Sequence, residues 1–159
     1  MSRSSPKPIA LNGEKLSFGI VAARYNAVLV EALLQTIQQQ LDTAGVKGKR
    51  IEVIRVPGSH EVPVAAQWLA QAGKSDCVIA LGVLIGGDTN HHELVGQSVS
   101  HALQQVALAT GIPVINGVIV TENLKQAQAR CIGPINRGAE FARAALEMAA
   151  LKRAIGEES

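Results

Sequence analysis

Apolar residues along this chain alternate between two rhythms, compact β-prone runs and longer stretches at helical spacing. Residues 16–22 form the first run, and Val28, Leu29, Ala32, Leu33, Ile37 and Leu41 then recur on one helical face until Gly45. Residues 51–56 predict a second strand, 63–72 a helix closed by Gly73, and 77–85 a near-continuous apolar strand. Asn90 followed three residues on by Glu93 predicts a capping-box start for a helix in which Val95, Val99, Ala102, Leu103 and Val106 share a face, ending at Gly111. Residues 113–120 predict a fourth strand. Asn123 with Gln126 forms another capping-box pattern, opening a short helix to about Arg130; beyond Gly133 and Pro134 an Ala-rich helix runs from Gly138 towards Ile155.

Strands and helices alternate throughout. Parallel strands joined by right-handed helical crossovers bury a sheet on both faces, which accounts for strands that are apolar throughout rather than alternating. The expected architecture is α/β: a three-layer α/β/α sandwich with a four-stranded, mainly parallel sheet, flavodoxin-like. One domain is expected over residues 16–155, preceded by a flexible segment 1–15 and followed by a tail 156–159.

Composition sharpens this picture in one respect. Of 159 residues 47% are apolar and only 18% charged, below the usual quarter, so the chain folds but has few charges with which to cover its surface. Some of that apolar surface is expected to face other copies of the chain. A net charge of +2, with Lys47, Lys49 and Arg50 as the one basic run, gives no footprint for nucleic acid. The first fifteen residues lack the apolar core of a secretory signal, and no run of roughly 18 apolar residues predicts a membrane span. A soluble, cytoplasmic protein is expected. Cys77 and Cys131 are far apart and form no CxxC pair, so they read as packing residues in a reducing compartment.

Ligands of such folds bind beyond the carboxyl ends of the strands, which directs attention to the four strand-to-helix turns. These carry Ala23 to Asn26, Pro57 to Glu61, Gly86 to His91, and Thr121 to Asn123. Gly86 and Gly87, followed by Asp88, Thr89 and a helix start, offer backbone N–H groups, a hydroxyl and a positive dipole end suited to phosphate; a tight capped turn is the equally available structural reading. Neither GxxxxGK[ST] nor GxGxxG is present, so nucleoside triphosphates and dinucleotides are not supported. His91 falls at the first helical position, where the dipole disfavours a further positive charge and a neutral imidazole can take and return protons; a capping residue is the alternative. His92 lies about 100° further round the axis and is assigned a structural role.

Zinc is not expected, because His60, Glu61, Asp88, His91, His92 and His101 match neither HExxH nor HxxEH. A triad of Ser59, His91 and Glu61 lacks the GxSxG elbow. Tyr25 offers a ring on which a flat heterocycle can stack, or it lies at the sheet rim. Glu61 suits substrate hydroxyls or a helix cap, and Arg130 a phosphate or a helix C-terminus.

In order and spacing, Ala23 to Asn26, Val56 to Pro63, Leu81 to His91, and Gly117 to Asn123 with Gln126, Ala127 and Arg130 resemble the 6,7-dimethyl-8-ribityllumazine synthase family from about Leu16 to Leu151. The resemblance implies condensation of 5-amino-6-(D-ribitylamino)uracil with 3,4-dihydroxy-2-butanone 4-phosphate, the penultimate step of riboflavin synthesis, with no cofactor and no metal. It implies that Tyr25 stacks on the pyrimidine, that Asn26 and Glu61 hold ribityl hydroxyls, and that Ser59, His60, Val83, Leu84 and Ile85 contact ligand. Gly87, Asp88, Thr89 and Arg130 would bind phosphate and His91 would shuttle protons. Family members bind substrate between subunits of a pentamer, with Asn116, Arg130 and Arg137 coming from the neighbour, and some assemble a 60-subunit shell. Three positions depart from the commonest pattern, Asn116 for an aromatic, Arg137 for a lysine and Gly86 for a basic residue, which bears on ring contacts and affinity rather than on the reaction. A non-enzymatic flavin or pteridine binder and a self-assembling container are the competing readings.

Overall fold

The computed structural model describes residues 4–157. Four strands, β1 (Phe18–Ala23), β2 (Ile51–Val56), β3 (Cys77–Ile85) and β4 (Val114–Thr121), pair in the order β2-β1-β3-β4, all parallel. Five helices connect or follow them: α1 (Ala27–Thr43), α2 (Val62–Gln71), α3 (His91–Thr110), α4 (Leu124–Cys131) and α5 (Arg137–Glu157). The expected order of elements is present, and the second and third strands have the expected bounds.

Alternation along the inner strands divides the core in two. Phe18, Ile20 and Ala22 of β1, with Cys77, Ile79 and Leu81 of β3, face α1, α4 and α5. Val21 and Ala23, with Val78 and Ala80, face α2 and α3. Every residue of β1 is buried, whereas β2 at the edge is mostly half-exposed, so only the inner strands need the uninterrupted apolar run that helical layers on both faces demand.

Of the segment expected to be loose, Gly13 donates its N–H to Ala44 O at 2.7 Å and Leu11 packs against the larger core. Both cysteines are free and buried, as packing residues should be. Burial pushes the Cys77 thiol well above its usual range, with Asp76 adding to the effect, and pushes Cys131 up to about 11 against the opposing charge of Arg130.

The two capping boxes behave differently. Asn123 is extended (φ −150°, ψ 167°) and its Oδ1 accepts from Gln126 N at 2.9 Å; the Gln126 side chain accepts from Glu122 N rather than from the cap residue itself. Asn90 stands before α3 but makes no side-chain cap, which corrects the sequence expectation. Its backbone (φ −87°, ψ 20°) lies outside the extended region that aims a cap side chain at the first turn, and Thr89 Oγ1 instead accepts from His91 N at 3.4 Å. Asn123→Ala is therefore expected to destabilise the protein by about 1 kcal/mol, and Asn90→Ala by much less. Thermal denaturation of the two variants checks this, and equal losses would contradict the geometry.

Candidate active site

The strand order reverses direction between β1 and β3, and the turns after β1, β2 and β3 meet above that point around a cleft of about 900 Å³. Asn26 opens α1 with a left-handed backbone (φ 55°), which asparagine tolerates better than most residues. Its Nδ2 donates to Val83 O at 2.7 Å and so ties the first turn to the end of β3. Tyr25 is 72% exposed, with its ring beside Gly58, and lines the cleft.

In the second turn Ser59 is buried against Gly82 of β3; a Cβ on residue 82 would overlap the Ser59 hydroxyl, so this approach requires glycine. Glu61 Oε1 accepts from Gly58 N at 2.9 Å, and its Oε2 stands 3.7 Å from His60 Nδ1. One carboxylate oxygen thus closes the turn back on Gly58 rather than capping α2, which corrects the expected helix cap, while the side chain also lines the cleft.

Val83, Leu84 and Ile85 form the floor, and Gly87 and Thr89 the rim. Asp88 is exposed and does not line the cleft. His91 is exposed at the start of α3 and lines the cleft, and Leu94, Val95 and Ser98 continue the same wall at the i, i+3, i+4, i+7 spacing of one helix face. Val95 thus both lines the cleft and packs against the smaller core.

His92 was set aside because of its angular offset from His91, yet it too lines the cleft, which wraps around the N-terminal end of α3. It is only 6% exposed. Its Nε2 lies 3.3 Å from Glu122 Oε1, and Nδ1 is buried without a partner. Glu93 completes a group whose donor atoms lie within 4.8 Å of one another. Glu122 falls outside any local metal motif, because nothing in the sequence signals that the turn after β4 meets α3.

Arg130, Asn116 and Arg137 do not line the cleft of their own chain. Arg130 Nη1 donates to Gln126 O at 3.0 Å. Asn116 is exposed on β4, with Oδ1 accepting from Val118 N at 3.0 Å. Arg137 opens α5, 3.3 Å from Glu140 and with its guanidinium 5.1 Å from the Phe141 ring centroid. Among the described residues, none of those lining the cleft is a lysine or arginine.

A parallel α/β sheet with hydroxyl, carboxylate, imidazole and exposed aromatic groups gathered over its switch point is the architecture of an enzyme that binds a small polar ligand at its strand ends. Residues 15–153 match the family model described as 6,7-dimethyl-8-ribityllumazine synthase. Proteins of that name from a Polaromonas species and from Thermococcus onnurineus are each 44% identical over 141 residues, 89% of this chain and 90% and 91% of theirs. One from an Azoarcus species is 41% identical over 145 residues, covering 91% of both chains. The chain belongs to the 6,7-dimethyl-8-ribityllumazine synthase family, a family of enzymes. No helix among the described residues is long and apolar enough to cross a membrane.

Proposed function

We propose that this chain condenses 5-amino-6-(D-ribitylamino)uracil with 3,4-dihydroxy-2-butanone 4-phosphate to 6,7-dimethyl-8-ribityllumazine, releasing phosphate and water, as the penultimate step of riboflavin synthesis. The observation that carries the reading is the convergence on one cleft of Tyr25, Glu61, Gly87, Thr89 and His91, each from a turn that the family pattern marks. Tyr25 presents a ring for stacking, Asn26 and Glu61 hold ribityl hydroxyls, and Ser59, His60 and residues 83–85 shape the pyrimidine pocket. Gly87 and Thr89 receive the phosphate, Asp88 lying outside the cleft. His91 takes and returns protons as the amine attacks the ketone, phosphate departs and the second ring closes. Orienting two partners that already react with each other is the larger contribution, and no metal or redox cofactor enters.

Among the described residues, those lining the cleft of one chain include no permanent cation for a phosphate, which supports a site shared between subunits of a cytoplasmic homo-oligomer, with Arg130, Asn116 and Arg137 supplied by the neighbour. Exposed Leu108, Ile132, Ile135 and Leu151 provide apolar surface for such assembly, as a pentamer or a shell of pentamers. Mixing the purified protein with both substrates and following lumazine absorbance tests the reading. Turnover well above the spontaneous condensation is expected; a rate equal to it would leave a binder or a container instead.

A further inference from the structure

None of the roles proposed above uses His92 or Glu122, yet the structure buries this imidazole and sets it against Glu122. We propose that His92 and Glu122 form a clasp that positions the phosphate subsite, an inference that rests on the function proposed above for its substrate.

Three observations carry it. First, the geometry selects a tautomer. A neutral imidazole has one N–H and one bare nitrogen; Nε2 faces a carboxylate oxygen at 3.3 Å, while Nδ1 is buried without a partner. Placing the proton on Nε2 satisfies the carboxylate and leaves only a bare lone pair unpaired, whereas the other tautomer buries an orphan donor beside a carboxylate. Second, the turns after β3 and β4 touch where the clasp closes. Gly86 N donates to Thr121 O at 2.7 Å, and a Cβ on residue 86 would lie 2.5 Å from Glu122 O. Third, Glu122 leads on to Arg130. Gln126 accepts from Glu122 N through its side chain at 2.9 Å and from Arg130 Nη1 through its backbone carbonyl at 3.0 Å. The loop from Gly87 to Thr89 of one cleft and the helix whose Arg130 serves the adjacent cleft therefore share one support.

Glu93 brings a second carboxylate near, which raises the possibility of a metal held by His92, Glu93 and Glu122. A metal-bound imidazole ordinarily donates its other N–H to an acceptor, and Nδ1 meets none here, so the hydrogen-bonded clasp is favoured.

Steady-state kinetics on the full-length assembly, with each substrate varied in turn, tests the proposal. His92→Phe and Glu122→Leu should each raise KM for the phosphorylated substrate about three- to tenfold. That range is the effect of a hydrogen bond to a charged group, discounted because Glu122 is largely exposed. KM for the pyrimidine and kcat should stay within about twofold. The double variant should be no worse than the worse single variant, and His92→Gln, which keeps a donor near Nε2, should restore affinity. Equal losses for both substrates, or additive losses, would overturn the clasp. So would zinc bound in stoichiometric amount to the unmodified protein and lost in His92→Phe. A readout independent of turnover is the ¹⁵N spectrum of histidine-labelled protein, in which only four imidazoles need assignment. An Nε2–H tautomer at His92 is expected, and an Nδ1–H tautomer would refute the clasp even if the condensation is observed. Absence of turnover in the unmodified protein with an Nε2–H tautomer present would instead defeat the proposed reaction.

Discussion

Replacing His91 by alanine is expected to lower kcat by about 10- to 100-fold while leaving both KM values close to their starting points. The size follows from ordinary acid-base contributions, and it is moderate because most of the advantage comes from holding two reactive partners together. The placement of His91 supports this role. It is exposed on the cleft wall at the first position of α3, its backbone N–H is taken by Thr89 Oγ1, and it shares a helix face with Leu94, Val95 and Ser98, which also line the cleft. The measurement is kcat with both substrates saturating. A change confined to KM would make His91 a binding group, because only interactions gained in the transition state lower kcat when removed.

Arg130→Ala should act on the other axis, raising KM for the phosphorylated substrate by roughly 30- to 100-fold, the effect of removing charge-assisted hydrogen bonds to an anion. KM for the pyrimidine should change little. Arg130 does not line its own chain's cleft, and none of the described residues lining that cleft is a lysine or arginine, so in the proposed assembly the cation comes from an adjacent subunit. Mixed oligomers provide a sharper check: impaired His91→Ala subunits combined with Arg130→Ala subunits should recover activity at junctions where an intact cleft meets an intact arginine. Equal losses for the two substrates, or no recovery on mixing, would give Arg130 a structural role within α4.

The fold was legible because its signals are local and redundant. The inner strands are apolar on both faces, and the helices between them repeat every three to four residues and stop at glycines, so the runs could belong to little other than a parallel sheet between helical layers. What escaped was side-chain geometry set by tertiary contact. Asn90 and Asn123 have the same cap pattern in the sequence, but only Asn123 has the extended backbone that lets its side chain reach the helix. His92 was judged by its angle to His91 alone. Whether a cleft covers one helix face or wraps around a helix end depends on the neighbouring turns, and Glu122 is thirty residues away in sequence. For Glu61 a backbone-holding contact was readable in kind, because Gly58 lies within the same short turn, although it closes that turn rather than capping α2.

The two turns at the centre of the site leave β1 and β3, the innermost pair of the sheet, and β1 is hydrogen-bonded to a strand on either side. Strands so placed are the last to open, because separating them breaks both layers of the core at once. The residues that meet substrate therefore hang from the least yielding part of the molecule, while their own backbones lie outside the ladder. Changes in ligand preference can accumulate in those turns without loosening the frame, and loss of a frame residue such as Ile79 would displace every contact together. In such a molecule the route to new specificity and the route to collapse pass through different residues.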